Sequence, residues 1–467
     1  MSSSFSEFRA GAAGAIADLH LQAAMETATA NCRVGRAAAL AEIPDPDDLR
    51  DQLKAVRSST MAQLGEHLEQ FELRAVQAGA KVHWAQNGPE ANRVVLDIIC
   101  QHKADAAVKS KSMLSEEIGL NRALSDAGVT PVETDLGEWI VQLAGETPSH
   151  IIIPAIHKTR DQVAELLSRE THRPLPADDI PLLVKEARRM LREKFLTAAI
   201  GISGANIGVA ETGSVVLVTN EGNGRMVTSL PPVHIVVMGI EKIAPTWEDA
   251  AVWLSLLARS ATGQALSIYT TIITGPARPA DPDGPGEVHI ILLDNGRSRQ
   301  VGTPYEEVLQ CIRCGACLNV CPVYRESGGH SYGSPYSGPI GAVVSPLLMG
   351  LEQYEALPHA SSLCGACLEV CPVRIDLPRM LLELRKEEVD RRVLPWYDRW
   401  VERIAARVMG NERLFQFSAG VARALLRPLS QSGSLRLPSW VNPAHERRLP
   451  ALAPRSFRDL WKNGDVS

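Results

Sequence analysis

The chain has 467 residues, of which 45% are hydrophobic and 22% are charged, and its formal net charge is −6. This length suffices for two or three domains, and the composition is that of an ordinary soluble protein. No apolar run reaches the roughly eighteen residues that a membrane helix needs. The opening stretch MSSSFSEFRAGAAGAI lacks the basic region, apolar core and cleavage site of a signal peptide, so we expect a cytoplasmic protein.

Positive charge is concentrated near the C-terminal end. Residues 385–467 contain 16 Lys and Arg against 9 Asp and Glu, together with half of the eight Trp residues: Trp396, Trp400, Trp440 and Trp461. Such charge is compatible with nucleic acid or a membrane surface. No Arg or Lys block is dense enough to favour either, so we expect neither nucleic-acid binding nor an integral membrane segment. A helical tail that docks on the acidic remainder of the chain or on a partner subunit is the favoured interpretation.

The first 64 residues are predicted to be a polar helical region with a turn at residues 44–48. From about 65 to 300, short apolar β-like runs alternate with amphipathic helix-like segments. This alternation predicts an α/β domain with a largely parallel sheet. The predicted strands are residues 94–99, 106–110, 150–155, 213–219, 234–240, 269–274 and 288–294, and the predicted helices are residues 115–128, 159–170 and 246–261.

Two stretches of this domain place polar residues beside predicted strands. Glu211 lies at a strand entrance with two hydroxyl residues and is the candidate catalytic residue of a small-acid pocket, although the same letters suit an ordinary hairpin, which we favour. The segment VKSKSM (108–113) offers an anion site at a helix N-terminus, or simply solvated lysines. His157 is predicted to pack or cap. No G-x-G-x-x-G or P-loop motif supports a nucleotide site.

The strongest signal is a cluster of seven of the nine cysteines between residues 311 and 371. The first motif, CIRCGACLNVCP, begins at Cys311, whereas the second, SSLCGACLEVCP, has Ser361 at the equivalent position. In paired motifs of this spacing, three cysteines wrap one 4Fe-4S cluster, and the fourth, followed by Pro, ligates the neighbouring cluster. Zinc favours two C-x2-C pairs closing one tetrahedron, which these overlapping triads fit poorly.

This crossed rule assigns the seven cysteines to two ligand sets. The first set is Cys311, Cys314, Cys317 and Cys371, and the second set is Cys321, Cys364 and Cys367. The second set therefore lacks one cysteine. Its cluster could be a 3Fe-4S centre, a 4Fe-4S cluster with Ser361, Ser362 or His359 as the fourth ligand, or a 4Fe-4S cluster with an open iron. Two neighbouring clusters predict electron transfer, with purely structural clusters as the alternative.

The cysteine segment is predicted to be helical outside its motifs. Residues 342–357 and 377–389 are the predicted helices, and the cysteines are expected on loops between helices. The intervening stretch ESGGHSYGSPYSGPIG (326–341) is a compact loop. Its His330, Tyr332 and Tyr336 either cover a cluster, meet a partner or belong to a spacer.

The two cysteine motifs, the intervening GGHSYGSPYSGPIGAV and the stretch ETGSVVLVTNEGNGR together resemble the lactate utilization protein B family. The resemblance covers nearly the whole chain. It implies a helical region at 1–64, an α/β LUD domain similar to CoA transferases and sugar isomerases at 65–300, a helical ferredoxin-like domain at 301–390, and a basic Trp-rich helical region at 391–467. It further implies an electron-transfer subunit of a bacterial L-lactate oxidation system, with two 4Fe-4S clusters on the seven cysteines and two partner subunits.

Two alternatives stay open at this point. The chain could be a small-acid-binding or transferase-like protein with catalysis at Glu211 and structural or regulatory clusters. The same electron-transfer machinery could also serve another 2-hydroxy acid, such as glycolate. The residues do not indicate which subunit binds lactate.

Overall fold

The structure is a computed structural model that describes residues 3–393, 396–426, 428, 430–431, 434–435, 449–450, 453 and 455–464. It consists of two compact units, Met1–Asp390 and Arg391–Ser467.

The first unit begins with four helices. They are α1 (Phe5–Ala17), α2 (Leu19–Ala41), α3 (Pro46–Ala62) and α4 (Leu64–Gln77). Side-chain caps explain where three of them start, because Ser4, Asp18 and Asp45 accept hydrogen bonds from amides of the first turns of α1, α2 and α3. Pro46 occupies the first position of α3, where a helix needs no N–H donor. The expected turn is therefore the junction of α2 and α3.

The α/β region follows. Its elements are β1 (Lys81–Ala85), α5 (Gly88–Gln101), β2 (Ala106–Lys109), α6 (Met113–Glu117), α7 (Leu120–Asp126), β3 (Thr130–Glu133), α8 (Leu136–Ala144), α9 (Arg160–Thr171), α10 (Ile180–Thr197), β4 (Ile200–Ser203), β5 (Ile207–Val209), β6 (Ser214–Thr219), α11 (Asn223–Ser229), β7 (Val233–Gly239), β8 (Ile243–Ala244), α12 (Trp247–Thr262), β9 (Tyr269–Ile273) and β10 (Glu287–Leu293).

Six strands form a parallel sheet in the order β1-β10-β7-β4-β2-β3. Strand β7 is buried along its whole length, as expected for a central strand covered by helices on both faces. One face packs in a core that includes Val95, Ile235 and Ile291, and another core includes Trp139 and Phe195. The predicted α/β class with a parallel sheet is confirmed.

A second sheet has the order β8-β5-β6-β9 and mixes parallel and antiparallel pairs. Strands β5 and β6 form the hairpin that the stretch around Glu211 suggests. Gly213 turns this hairpin with φ of 67°, and a Cβ there would lie 2.1 Å from the amide nitrogen of Ala75. Only glycine fits this turn, because α4 packs directly against it.

Two predicted strands are wrong. Residues 94–99 lie inside α5, which Asn87 caps and which buries Val95, Ile98 and Ile99 on one face. A short apolar run does not distinguish a strand from a buried helix. Residues 150–155 form turns, because the Nδ1 atom of His150 accepts hydrogen bonds from the amides of Ile152 and Ile153 at 3.0 Å each.

The cysteine segment is largely helical. Its helices are α13 (Ala316–Val320), α14 (Pro322–Ser327), α15 (Gly338–Met349), α16 (Ala366–Val370) and α17 (Leu377–Asp390). The prediction of a helix over 342–357 is wrong beyond Met349, because Gly350 leaves the helix with φ of 114°. Five cysteines lie outside helices as expected, whereas Cys317 and Cys367 lie within α13 and α16.

The described part of the second unit contains three helices and a small antiparallel sheet. Its elements are α18 (Trp396–Met409), α19 (Glu412–Leu426), β11 (Ser430–Gln431), β12 (Ser434–Leu435), β13 (Leu449–Pro450) and α20 (Phe457–Lys462). Trp440 lies outside the described residues. Across the described part of the whole chain, no helix combines the length and the apolarity required to cross a membrane.

One buried arginine of α3 joins distant parts of the first unit. The guanidinium of Arg57 donates hydrogen bonds to four carbonyl oxygens, and it lies 4.3 Å from the ring centre of Trp253. The four acceptors are the carbonyl oxygens of Glu241, Ile243, Leu309 and Gln310, at 2.6, 2.8, 2.8 and 3.3 Å. Burial lowers the pKa of Arg57 to about 10, so the side chain stays charged at neutral pH.

Arg57→Met should lower the free energy of unfolding by about 3 kcal/mol or more, because four buried carbonyl oxygens lose a charged donor. Denaturant-induced unfolding of the full chain, compared with the wild type, measures this loss. Arg188→Met, which changes an exposed position on α10, is the matched control and should change stability little. Equal effects of the two substitutions would contradict the role given to Arg57.

A buried histidine predicts a pH dependence of stability. His234 on β7 contacts the hydroxyl of Ser203 on β4 at 2.8 Å, and burial lowers its pKa to about 3. An unfolded histidine titrates near about 6.5. Below that pH the unfolded chain binds a proton that the folded chain does not, so stability present above pH 6.5 is lost as the pH falls towards 3.

His234→Gln keeps a polar side chain but cannot titrate. The variant should lose stability less steeply than the wild type between about pH 6.5 and pH 4, by up to about 1.4 kcal/mol per pH unit. Unfolding free energies measured across this range provide the comparison. Parallel curves for the two proteins would show that His234 is not responsible.

Candidate functional site

The two cysteine motifs have matching local structures. In each, a glycine in the left-handed region starts a short helix: Gly315 (φ 74°) precedes α13 and Gly365 (φ 85°) precedes α16. These glycines allow the chain to turn around its cysteines without a Cβ clash. Helices α13 and α16 pack against each other, so the two motifs face one another.

The thiols lie close enough to perturb one another electrostatically. Burial, with smaller contributions from the thiols of Cys371 and Cys311, raises the pKa of Cys314 to about 12. Burial, with smaller contributions from Cys321 and Cys364, likewise raises the pKa of Cys367 to about 12. These neighbours are the ones that the crossed rule places in one set. The assignment of individual ligands stays a prediction.

One thiol connects the two sets. Burial raises the pKa of Cys317 well above its ordinary value, and four other thiols raise it further: Cys311, Cys314, Cys367 and Cys371. Three of these belong to the first set, whereas Cys367 belongs to the second. The two sets are therefore adjacent at Cys317 and Cys367.

Backbone amides and arginines surround the thiols. The amides of Arg313, Ile375 and Tyr324 donate to the Sγ atoms of Cys311, Cys371 and Cys321 at 3.4, 3.4 and 3.5 Å. Such N–H···S contacts stabilise the negative charge of an iron–sulfur cluster.

The N-terminal helices contribute further positive charge to this region. Arg50 donates to the carbonyl oxygens of Cys371 and Glu369, the shortest distances being 2.8 and 2.7 Å, and Arg36 donates to that of Val370 at 2.8 Å. The sequence gave no signal for these arginines, because they lie more than 300 positions before their partners.

The second set opens to solvent at Cys364, which is exposed. The amide of Ala366 and the hydroxyl of Ser362 lower the pKa of this thiol. Ser362 is one of three candidates for the missing ligand, and the other two, Ser361 and His359, contact other groups. Ser361 accepts from the amide of Leu363 at 3.1 Å, and His359 lies 2.8 Å from a carboxylate oxygen of Glu388. Of the three candidates, Ser362 is the one with a contact to a thiol of the second set.

The described residues include no group of three or more His, Cys, Asp and Glu side chains positioned to hold a single metal ion. A cluster requires a different arrangement, because each thiolate binds a separate iron atom. Mutually adjacent thiols, amide donors and nearby arginines are the features that fit such a group.

A cavity of about 400 Å³ lies at the carboxyl edge of the six-stranded sheet. Residues that follow five strands line it: Lys111 after β2, Asp135 after β3, Asn206 after β4, Lys242 after β7 and Arg297 after β10. This edge is the usual ligand position in parallel α/β sheets. Arg313 and Tyr336 of the cysteine segment also line the cavity, so it lies between the sheet and the first ligand set.

The cavity wall contains a buried ionic network. Arg297 donates to Glu241 at 2.7 Å and to Glu117 at 2.8 Å, and Tyr336 donates to Glu117 at 2.6 Å. Burial would raise the pKa of Glu241, but Arg297, Lys242 and Arg313 lower it to about 2. Both carboxylates are therefore ionised at neutral pH.

Two basic side chains connect this wall to Cys311. The Nζ atom of Lys242 lies 3.4 Å from the carbonyl oxygen of Cys311, and burial lowers the pKa of this lysine to about 7. The guanidinium carbon of Arg313 lies 4.8 Å from the ring centre of Tyr336. The backbone amide of Arg313 donates to the sulfur of Cys311.

Some of the other candidate residues from the sequence line the cavity, and others do not. Glu211 is exposed, accepts a hydrogen bond from the amide of Trp247 at 3.1 Å and does not line the cavity, so it acts as a helix cap. Lys111 and Ser112 do line the cavity, whereas Lys109 is buried against Glu133 at 2.6 Å. His157 lies 2.9 Å from the hydroxyl of Ser149, consistent with the packing role.

The loop over 326–341 packs against two parts of the first unit, and its role in covering a cluster stays a prediction. Tyr332 is fully buried, and the thiols of Cys321 and Cys317 are among the causes that raise its pKa, burial being the largest. Tyr336 forms part of the cavity wall. His330 contacts the carbonyl oxygen of Thr147 at 2.7 Å. The loop therefore packs both beside thiols of the two ligand sets, Cys321 and Cys317, and against the α/β region.

Comparison with known proteins gives the family. Residues 68–293 match the LUD domain, and residues 307–375 match the 4Fe-4S dicluster domain. Lactate utilization protein B of Exiguobacterium sp. (strain ATCC BAA-1283 / AT1b) is 43% identical over 450 residues, covering 96% of this chain and 95% of that protein. The chain belongs to the lactate utilization protein B family. The resemblance seen in the sequence is thereby confirmed.

Other members of the lactate utilization protein B family match equally broadly. That of Shouchella clausii is 41% identical over 95% of this chain and 94% of its own length, and that of Geobacillus kaustophilus is 43% identical over 92% and 91%. The dicluster match shows that residues 307–375 form an iron–sulfur-binding domain. A crystal structure of a DUF162 family protein from Deinococcus radiodurans is 15% identical over 49% of this chain and 98% of its own, with a TM-score of 0.29 that is too low to support conclusions about the fold.

Cys364 should be the most reactive of the seven clustered cysteines in cluster-free protein, because it is exposed and its thiolate is favoured. We expect iodoacetamide to alkylate it at least about tenfold faster than buried Cys367, as followed by peptide mass spectrometry. Loading of the clusters should protect Cys364 but leave exposed Cys100 reactive. Similar alkylation rates at Cys364 and Cys367 would contradict the described exposure.

Proposed function

We propose that this chain is the iron–sulfur electron-transfer subunit of an L-lactate oxidation system. It acts with two other subunits in the cytoplasm, and the system converts lactate to pyruvate. The observation that carries this proposal is the division of seven thiols into two adjacent groups inside a dicluster domain. Family membership supplies the link to lactate.

The ligand assignment follows the crossed rule. Cys311, Cys314, Cys317 and Cys371 would hold one 4Fe-4S cluster. Cys321, Cys364 and Cys367 would hold the second cluster, and Ser362 is the preferred candidate for its fourth ligand. When bound, each cluster accepts and releases one electron at a time.

The two sets differ in exposure, which suggests a direction for electron flow. None of the four cysteines of the first set is exposed, and the carbonyl oxygen of Cys311 lies 3.4 Å from Lys242 of the cavity wall, whereas Cys364 of the second set is exposed. Cys317 and Cys367 connect the sets. Electrons would therefore enter on the cavity side and leave towards a partner that approaches Cys364.

The alternative in which catalysis takes place at Glu211 receives no support from the geometry. Its candidate residue, Glu211, contacts the amide of Trp247 and lies outside the cavity. We therefore assign the α/β region at 65–300 a role in supporting and flanking the cysteine domain at 301–390, with the helices of 1–64 packing on both.

Iron, sulfide and EPR measurements on anaerobically purified protein test the two-cluster assignment. Two 4Fe-4S clusters predict about eight irons per chain and a paramagnetic signal after reduction, whereas a 3Fe-4S centre predicts about seven and a signal in the oxidised protein. Cys371→Ser should perturb the first cluster and leave the second. Cys321→Ser should do the opposite.

Cys100→Ser is the matched control, since this exposed cysteine lies on α5, outside both sets. It should keep the full iron content and the wild-type spectra. If Cys371→Ser and Cys321→Ser perturbed the same cluster, the crossed assignment would be wrong. A wild-type chain without iron would refute the proposed function itself.

A further inference from the structure

The cavity between the sheet edge and the first ligand set has features of a binding site rather than a packing defect. It lies where ligands bind in parallel α/β folds, and its volume of about 400 Å³ falls in the range of small-molecule sites. Its lining includes charged side chains from both the α/β region and the cysteine segment. Such charges are costly to bury without a partner.

Several polar groups of this lining lack partners among the described residues. The Nη1 atom of Arg313 and the Oδ1 atom of Asn223 are buried and accept or donate no hydrogen bond. Lys242 is only 9% exposed, and its ammonium makes one long hydrogen bond, to the carbonyl oxygen of Cys311 at 3.4 Å. A lysine ammonium has three donors, so donors remain for a ligand.

The nearby carboxylates do not occupy all the hydrogen-bond donors of Lys242 and Arg313. Glu241 directs its Oε2 atom to Arg297 at 2.7 Å, while Arg313 is 3.9 Å from the Oε1 atom, beyond hydrogen-bond distance. Arg297 is also paired with Glu117. Glu241 therefore makes its hydrogen bond to another arginine, which leaves donors of Arg313 and Lys242 for a second anion.

We propose that this cavity binds a small 2-hydroxy carboxylate, such as L-lactate, with its carboxylate between Lys242 and Arg313. This inference rests on the proposed function for the identity of the acid and adds that this chain itself carries an acid-binding site. Apolar lining residues, including Ile151 and Leu257, can accept the methyl group. The cavity is larger than a three-carbon acid requires, so polar contacts rather than shape would place the ligand, with the unpartnered Oδ1 atom of Asn223 as an acceptor for the 2-hydroxyl group.

The site adjoins the first ligand set directly. Lys242 contacts the carbonyl oxygen of Cys311, and the amide of Arg313 contacts its sulfur at 3.4 Å. An acid held by these two side chains would lie beside the first cluster. Its binding should therefore change the spectrum of that cluster as well as release heat.

Another explanation is that Lys242 and Arg313 only balance the negative charge of the bound cluster. The two explanations predict different results. Charge balance alone predicts that substitutions shift the reduction potential of the first cluster and that no acid binds. A binding site predicts saturable binding that depends on both side chains.

The test is anaerobic titration calorimetry on the cluster-loaded full chain without partner subunits, together with EPR of the reduced protein. L-lactate and pyruvate are the probes, with propionate and acetate as acids that lack the 2-oxygen. We expect L-lactate to bind more tightly than propionate and to alter the EPR signal of the first cluster. Lys242→Met and Arg313→Gln should each weaken L-lactate binding by about tenfold or more.

Two further variants make the result decisive. Lys242→Arg keeps the charge and should retain most of the binding, while Lys185→Met removes an exposed lysine of α10 and should change nothing. Iron content shows whether each variant is folded and loaded. Absence of L-lactate binding by loaded chain, equal binding of acetate, or binding unaffected by Lys242→Met and Arg313→Gln would each overturn the inference and leave the proposed function intact. A chain that holds no iron would instead overturn the proposed function, and the same calorimetry would still decide whether the cavity binds the acid.

Discussion

The buried guanidinium of Arg57 is the interaction on which the arrangement of the first unit depends. It donates at the same time to the segment after β7 and to the segment that leads into Cys311. Few other groups could do this, because only an arginine offers five donors in one plane and stays charged when buried. The sheet edge and the first cysteine are thereby held at a fixed separation, and the cavity wall lies between them.

The charges around that wall form one connected system. Glu117 and Glu241 hold Arg297 in place, and Glu241 also lies near Lys242 and Arg313, which contact Cys311. In a low-dielectric interior such charges interact strongly, so a change of charge at the first ligand set would be felt across the whole network. The α/β region is thus electrostatically connected to the cysteine domain as well as packed against it.

The sequence predicts the cysteines that bind the clusters better than it predicts the residues around them. Cluster ligands sit at fixed short spacings, because a cluster is wrapped by one local loop, and the motif can be recognised without a fold. The parallel sheet was also predictable from alternating segments. Strands β1, β3 and β4 were missed because each is short and lacks a continuous apolar run: their sequences, KVHWA, TPVE and IGIS, include polar residues, proline or glycine. Residues 94–99 were misassigned because an apolar run also suits the buried face of α5.

The cavity and the arginine contacts of Arg36, Arg50 and Arg57 also escaped prediction, but for a different reason. Asn206 and Arg297 line the cavity only because of the order in which strands are placed in the sheet, which no local pattern encodes. Arg50 and Arg57 look like ordinary helix-surface residues in the sequence, yet they contact carbonyl oxygens hundreds of positions away. Glu211 shows the converse case, since a suggestive local pattern proved to be a hairpin and a helix cap.

The contacts between α2, α3 and the second cysteine motif have a consequence for biogenesis. Arg36 and Arg50 contact residues that are 334 and 321 positions later in the chain. The first ligand set likewise combines Cys311 with Cys371. An emerging polypeptide therefore cannot form either the contacts of Arg36 and Arg50 or the first ligand set until nearly all of the first unit has left the ribosome. Under the proposed ligand assignment, the first cluster can be inserted only late in synthesis, and a product truncated before Cys371 would lack one of its four ligands.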